Sequence, residues 1–212
     1  MTRPKIELIY SFLVVVMGQT QNKLITGVLL TVVALPWIAA IPALAFQEVD
    51  LERLLKVGVC SRCNLRSADL QDEDLQKAVL VQANLRGSNL QNVDLTDAIL
   101  VQANLVETNL VEATLKNANF RNAGLVRANL TDADLTDADL MGADLRGANF
   151  TNATLETTSL IGVNLDGAIL QNTNLESADL RGALVRRDSI QAARLCRTQL
   201  PDGSVANRDC AS

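Results

Sequence analysis

The 212-residue sequence contains no histidine. That absence removes His-based triads, most catalytic zinc sites and the commonest general base. No P-loop and no Rossmann glycine pattern occurs. Aromatic residues are only 3% of the chain, very few for a globular core. No twin-arginine pair precedes the first apolar run and no Ser-rich plastid transit segment is visible. Positive charge is also scarce: residues 64–183 hold 17 Asp/Glu against 8 Lys/Arg, a local balance of −9 within a chain of net charge −5. A surface of that sign repels phosphate, so nucleic acid is not an expected ligand. The acidic excess reads as a solvated surface that aids solubility.

What is abundant is leucine, in a fixed rhythm. Leu or Phe stands at every fifth residue from Leu65 to Leu180, 24 positions without a miss, and only Phe120 and Phe150 are not Leu. Two residues before each there is nearly always a small side chain, Ala in 16 of the 24 cases, and Asn or Asp usually lies between. On an α-helix, five residues turn about 500°, so these Leu would spiral round every face. On a flat strand an odd period would alternate them between faces. One arrangement puts all of them inside: a coil that turns a corner every five residues. Four sides close a square of 20 residues, so the repeats make about six coils, roughly 29 Å long at about 4.8 Å per coil. No repeat buries its Leu alone, so stacking makes the core.

The corners carry their own signature. Gly occupies the second place after the core residue at Gly87, Gly142, Gly147, Gly162, Gly167 and Gly182, where a type II turn needs φ > 0. Asn and Asp before the Leu can bond their own backbone. Val93, Val163, Thr108, Thr158 and Thr173 fill the small-residue place as local adjustments. Glu73 does not fit an interior position; either the first coil is distorted or its side chain lies near the open end.

The motif A-(D/N)-L-x-x, uninterrupted over residues 64–183, resembles the pentapeptide repeat family. The resemblance implies a β-solenoid, a right-handed quadrilateral β-helix; the handedness comes from the family and not from the period.

Residues 1–45 are a different material, expected to be a signal peptide or a signal anchor. Arg3 and Lys5 precede a short apolar run, and after Lys23 comes a longer one, 24–45, ending in Ala43-Leu44-Ala45. That ending fits signal-peptidase cleavage before Phe46, and a start at Met17 would give a signal of ordinary length. Retained, 24–45 is long enough to span a membrane. Both readings export the rest of the chain. Residues 46–59 read as a short helix ended by Gly58, and 46–63 as an N-terminal cap over the open coil.

The four cysteines fall in two pairs, Cys60 with Cys63 and Cys196 with Cys210. One zinc site using all four fails on distance, because the pairs lie at opposite ends of a stack roughly 29 Å long. A thioredoxin-like role for Cys60-Ser61-Arg62-Cys63 lacks its βαβ context. That pair is expected as a structural bridge or as two free thiols. Past the solenoid, 64–185, the C-terminal segment 186–212 keeps a faint beat at Ile190, Leu195 and Leu200. Pro201-Asp202-Gly203 is a turn that would let Cys196 reach Cys210. This tail resembles the C-terminal cap of lumenal and periplasmic pentapeptide repeat proteins of photosynthetic organisms, with Leu200 in their Met/Leu place. The resemblance implies the thylakoid lumen or periplasm of a bacterium, of cyanobacterial type.

No catalytic residue, cofactor site or metal site emerges. Asp132, Asp134, Asp137, Asp139 and Asp144 read as turn-forming residues pointing out round different sides, and the Gly-rich calcium nonapeptide is absent. Stepping by 20 instead aligns an outward apolar stripe: Val79 and Ile99 in one column, Val81, Val101, Met141 and Ile161 in its neighbour. It is expected to be a docking or self-association face, or else to lie under the protein's own N-terminal extension or to be mere sequence drift. The expected function is a non-enzymatic scaffold in an exported compartment, its protein partner unknown. Its membrane contact runs only through the N-terminal segment, if that is uncleaved. The alternatives are an acidic DNA mimic that binds a topoisomerase, and an enzyme or metal sensor built on the Cys pairs.

Overall fold

The computed structural model describes residues 41–210, with side chains from 48 onward. The expected signal segment 1–45 lies outside these residues except for its last five. Those five open helix α1, Ile41–Val57, which therefore begins ahead of the expected 46–59 helix and runs through Ala43-Leu44-Ala45. Pro42 stands in its first turn, where a missing N–H costs nothing. Gly58, at φ 71°, ends it by donating its N–H to the Leu54 carbonyl, the usual left-handed stop. No described helix is long and apolar enough to cross a membrane.

From Val59 the backbone pairs each rung residue in parallel with the one 20 places on, from Val59 with Val79 to Asp179 with Gln199. Beyond Ile169 the short helix α2, Arg187–Gln191, replaces a rung. One pentad shows why the pattern is stable. Asn104 donates to the Ala83 carbonyl behind it, and Leu105 and Glu107 donate to the Gly124 and Val126 carbonyls ahead. Thr108 closes the corner onto the Leu105 carbonyl, and Val106 donates to the Asn104 Oδ1. All five amides are thus bonded, as buried backbone requires.

Each corner holds a left-handed residue in its second place, as type II turns demand. The glycines anticipated there adopt φ of 65–70°. So do charged and branched residues, among them Glu107 (φ 60°), Arg127 (φ 58°) and Thr157 (φ 57°). A non-glycine residue in that region costs roughly 1–2 kcal/mol, so inter-coil bonding holds a strained corner at most repeats.

Inside, no core Leu or Phe from Leu65 to Leu180 is more than 4% exposed. The buried Thr hydroxyls each find a carbonyl 23 residues back: Thr108 to Leu85, Thr158 to Leu135, Thr173 to Phe150 and Thr198 to Leu175. Glu73 keeps its corner bond to the Leu70 carbonyl and its carbonyl still accepts from Asp94. Its coil is undistorted, and the half-buried side chain sits near the open end.

Both ends are closed. Buried Leu54 of α1, with Leu51 beside it, packs on the first core layer. At the other end strands β1 (Thr198–Gln199) and β2 (Val205–Ala206) pair antiparallel across the Pro201–Gly203 turn, where Gly203 takes φ 83°. Disulfides join Cys60 to Cys63 and Cys196 to Cys210, with Cα separations of 5.4 and 4.7 Å. Closing the C-terminal loop contributes roughly 3 kcal/mol. Cys60 occupies a core-residue place and Cys63 a small-residue place, so the first bridge spans one corner of the repeat.

Candidate interaction surface

The outward side chains sort into walls by the 20-residue pairing. On one wall the central column reads Val59, Val79, Ile99, Asn119, Asp139, Ser159, Asp179. Val59 and Ile99 are 46% and 39% exposed, and Val79, Val81 and Val101 are half-buried. These five form one apolar area at the N-terminal end of the wall. Val59 escapes a count that starts at Leu65; the signal for it is Cys60 in the core place one pentad earlier.

The expected extension of the stripe to Met141 and Ile161 is interrupted. Arg121 stands between, its Nη1 2.9 Å from the Asp139 carboxylate and its Nη2 2.9 Å from the Met141 sulfur. Met141 is therefore covered by a guanidinium, and Ile161 is separated from the apolar area.

The apolar residues also replace turn chemistry. Where Asn or Asp fills the column, its Oδ1 accepts the N–H two residues on, as Asn119 does for Arg121 at 3.1 Å and Asp139 for Met141 at 3.0 Å. Val79 and Ile99 supply no such acceptor to Val81 and Val101. Each forgoes a bond worth about 1 kcal/mol.

The next wall is polar. Its central column is Asp74, Asp94, Thr114, Asp134, Thr154, Asn174. Partial burial opposes ionisation of Asp94, but the Thr96 hydroxyl and amide and the Gln76 amide outweigh it, holding the carboxyl below its ordinary range. At Asp134 burial is likewise outweighed, by the Thr136 hydroxyl and amide and by Lys116. Asp132 and Asp137 share this wall and Asp139 and Asp144 lie on the two that follow, so the five carboxylates are less scattered than their sequence positions suggest.

Asp50, Cys60 and Cys63 bring potential ligand atoms within 4.8 Å of one another. The two sulfurs are bonded to each other, and Asp50 Oδ2 accepts the Asn64 N–H at 2.8 Å. In this state the group is a structural end-piece and has no sulfur to offer a metal.

Residues 74–150 match a sequence profile described as a pentapeptide repeat region, and residues 148–186 match one described as pentapeptide repeats (8 copies). No curated protein sequence matches significantly. Among solved structures, HetL of the cyanobacterium Nostoc sp. strain PCC 7120, a pentapeptide repeat protein involved in heterocyst differentiation regulation, is 30% identical. The match covers 70% of this chain and 74% of that one, with a TM-score of 0.45. Rfr23 of the cyanobacterium Cyanothece 51142 is 32% identical over 62% of this chain and 97% of its own, with a TM-score of 0.33. A pentapeptide repeat protein of the Arabidopsis thaliana thylakoid lumen is 36% identical over 49% of this chain and 72% of its own, with a TM-score of 0.33.

Proposed function

Because the chain belongs to the pentapeptide repeat family, whose members fold as right-handed quadrilateral β-helices, we propose that it is a non-enzymatic scaffold. At 20 residues per coil the repeats make about six coils, whose flat walls present side chains in fixed columns. The scaffold works in an exported compartment, the thylakoid lumen or periplasm of a bacterium. Two disulfides suit an oxidising space, and the apolar run 24–45 suits delivery there.

The observation that carries the reading is the apolar area Val59–Val79–Ile99 with Val81 and Val101. Isolated surface apolar residues need no explanation, but a contiguous group that also forgoes backbone bonds does. It is a docking face for another protein or for a second copy of this chain. The family is generally without catalytic activity, and the sequence offers no histidine to supply a general base.

The double variant Ile99→Lys, Val101→Lys tests the reading. Both positions face outward, so the circular-dichroism spectrum is expected to stay unchanged while assembly weakens. Unchanged sedimentation together with unchanged co-purification of partners from native material would remove this face from the proposal.

A further inference from the structure

The Cys60–Cys63 bridge spans a corner that later repeats close without sulfur. The Cys63 N–H donates to the Cys60 carbonyl, just as Ala68 donates to Leu65 and Ala83 to Leu80, where there is no cross-link. Cys60 stands in the Leu place and Cys63 in the Ala place, both buried. The corner would hold equally with two thiols, so its shape does not account for the bridge. Two contacts of the sulfurs suit thiols better than a disulfide. Cys60 Sγ lies 3.1 Å from the Asp50 carbonyl oxygen; a bridged sulfur has no proton to give it, whereas a thiol donates one. Arg53 Nη1 lies 4.0 Å from Cys63 Sγ and 3.6 Å from Asp50 Oδ1; its charge stabilises a thiolate and does little for a neutral bridge. The Cys196–Cys210 bridge instead joins residues 14 apart and encloses the C-terminal hairpin.

We propose that Cys60–Cys63 is a thiol–disulfide exchange site, opened and re-formed by an external dithiol while Cys196–Cys210 stays closed. One thiolate of the dithiol attacks Cys60 Sγ. The S–S bond breaks, and Cys63 leaves as the thiolate beside Arg53, whose charge favours that departure. The second thiol of the reductant gives up its proton, attacks the reductant sulfur bound to Cys60 and completes the reductant's own disulfide. Cys60 is released, takes that proton and donates it to the Asp50 carbonyl. Two electrons pass from the dithiol to the protein, and the reverse sequence restores the bridge. The backbone bonds of Cys60 to Val79 and of Asn84 to Cys63 are untouched throughout. Access runs through α1, because Cys60 and Cys63 are only 1% and 2% exposed and Leu51 and Leu54 pack over the first core layer. A terminal helix opens at lower free energy than the stack beneath it. The exchange is independent of the Val79–Ile99 face.

The test equilibrates the full chain with dithiothreitol over a series of reduced-to-oxidised ratios. Free thiols are trapped with iodoacetamide and each pair is located by peptide mass. Cys60–Cys63 is expected to be half reduced at a ratio about tenfold or more below that needed by Cys196–Cys210, with the circular-dichroism spectrum unchanged. Arg53→Gln alters a half-exposed side chain and should fold as the original does. It is expected to raise the midpoint ratio of the first pair about threefold or more and to leave that of the second pair, the internal control, where it was. A bridge with only a structural role would open after Cys196–Cys210, or only at ratios where the circular-dichroism signal is lost as well. Either result would overturn the proposal, as would a midpoint that Arg53→Gln does not move.

Discussion

The Asp50 carboxylate accepts the Asn64 N–H at 2.8 Å, a bond that one coil further in is made by a backbone carbonyl, that of Cys63 to Asn84. A side chain of α1 thus stands in for the coil that does not exist. The far end uses the same device: Asp209 Oδ2 accepts the Leu195 N–H and Asn207 Oδ1 that of Arg197, each at 2.9 Å. An open solenoid end exposes unpaired donors to further pairing, and two carboxylates and an amide blunt them.

Replacing Asp50 with Ala is therefore expected to cost about 0.5–1.5 kcal/mol, the net worth of a hydrogen bond at an exposed amide, with Asn restoring part of it. Hydrogen exchange should locate the loss at Asn64 and its neighbours. Protection unchanged at Asn64 in the Ala variant would count against the capping role.

Gly162 isolates the corner strain from packing. Its φ is 67° and an added Cβ would meet nothing within 4 Å. Gly162→Val should lower stability by about 1–2 kcal/mol through the backbone alone. Leu135→Ala, which opens a cavity in the core, should cost about 2–5 kcal/mol, whereas outward Thr136→Lys, which loses only the hydroxyl bond to Asp134, should stay within about 1 kcal/mol. Chemical denaturation of the three variants checks this order.

Stability should be flat from about pH 5 to 8, because the chain has no histidine and its cysteines are disulfide-bonded. Asp144 and Asp179 are held below the ordinary carboxylate range, chiefly by Arg146 and Arg181, as Asp94 and Asp134 are by their hydrogen-bond donors. A carboxyl depressed in the fold stabilises it above the unfolded value, about 3.9, and that contribution is lost as pH falls through the lower folded value. Melting temperature should begin to fall below about pH 4. A decline between pH 8 and 5 would contradict this assignment.

The core was legible because only an inward coil reconciles a period of five with burial, and Leu105 or Phe120 could be placed from the sequence alone. Glycine marked six corners, but the left-handed Thr157 and Glu107 were not legible, since their conformation is imposed by bonds to neighbouring coils. Cys60 concealed its core place by not being leucine, and with it hid Val59. Arg121 could be placed in the right column, yet its fold over Met141 depends on a rotamer that no spacing determines. Asp132, Asp134 and Asp137 looked dispersed because neighbours in sequence and neighbours on a wall follow different periods.

The rung from Ile99 to Asn119 joins residues 20 apart, and that gives the molecule a phase as well as a length. Deleting five residues would leave every downstream Leu pointing inward, yet turn everything beyond the cut through a quarter revolution. The acidic column begun at Asp74 and Asp94 would then be continued by a different wall. The core tolerates any multiple of five, whereas the surface survives only multiples of 20. Insertions and deletions in such a chain can therefore be neutral for folding and still scramble whatever is read from outside.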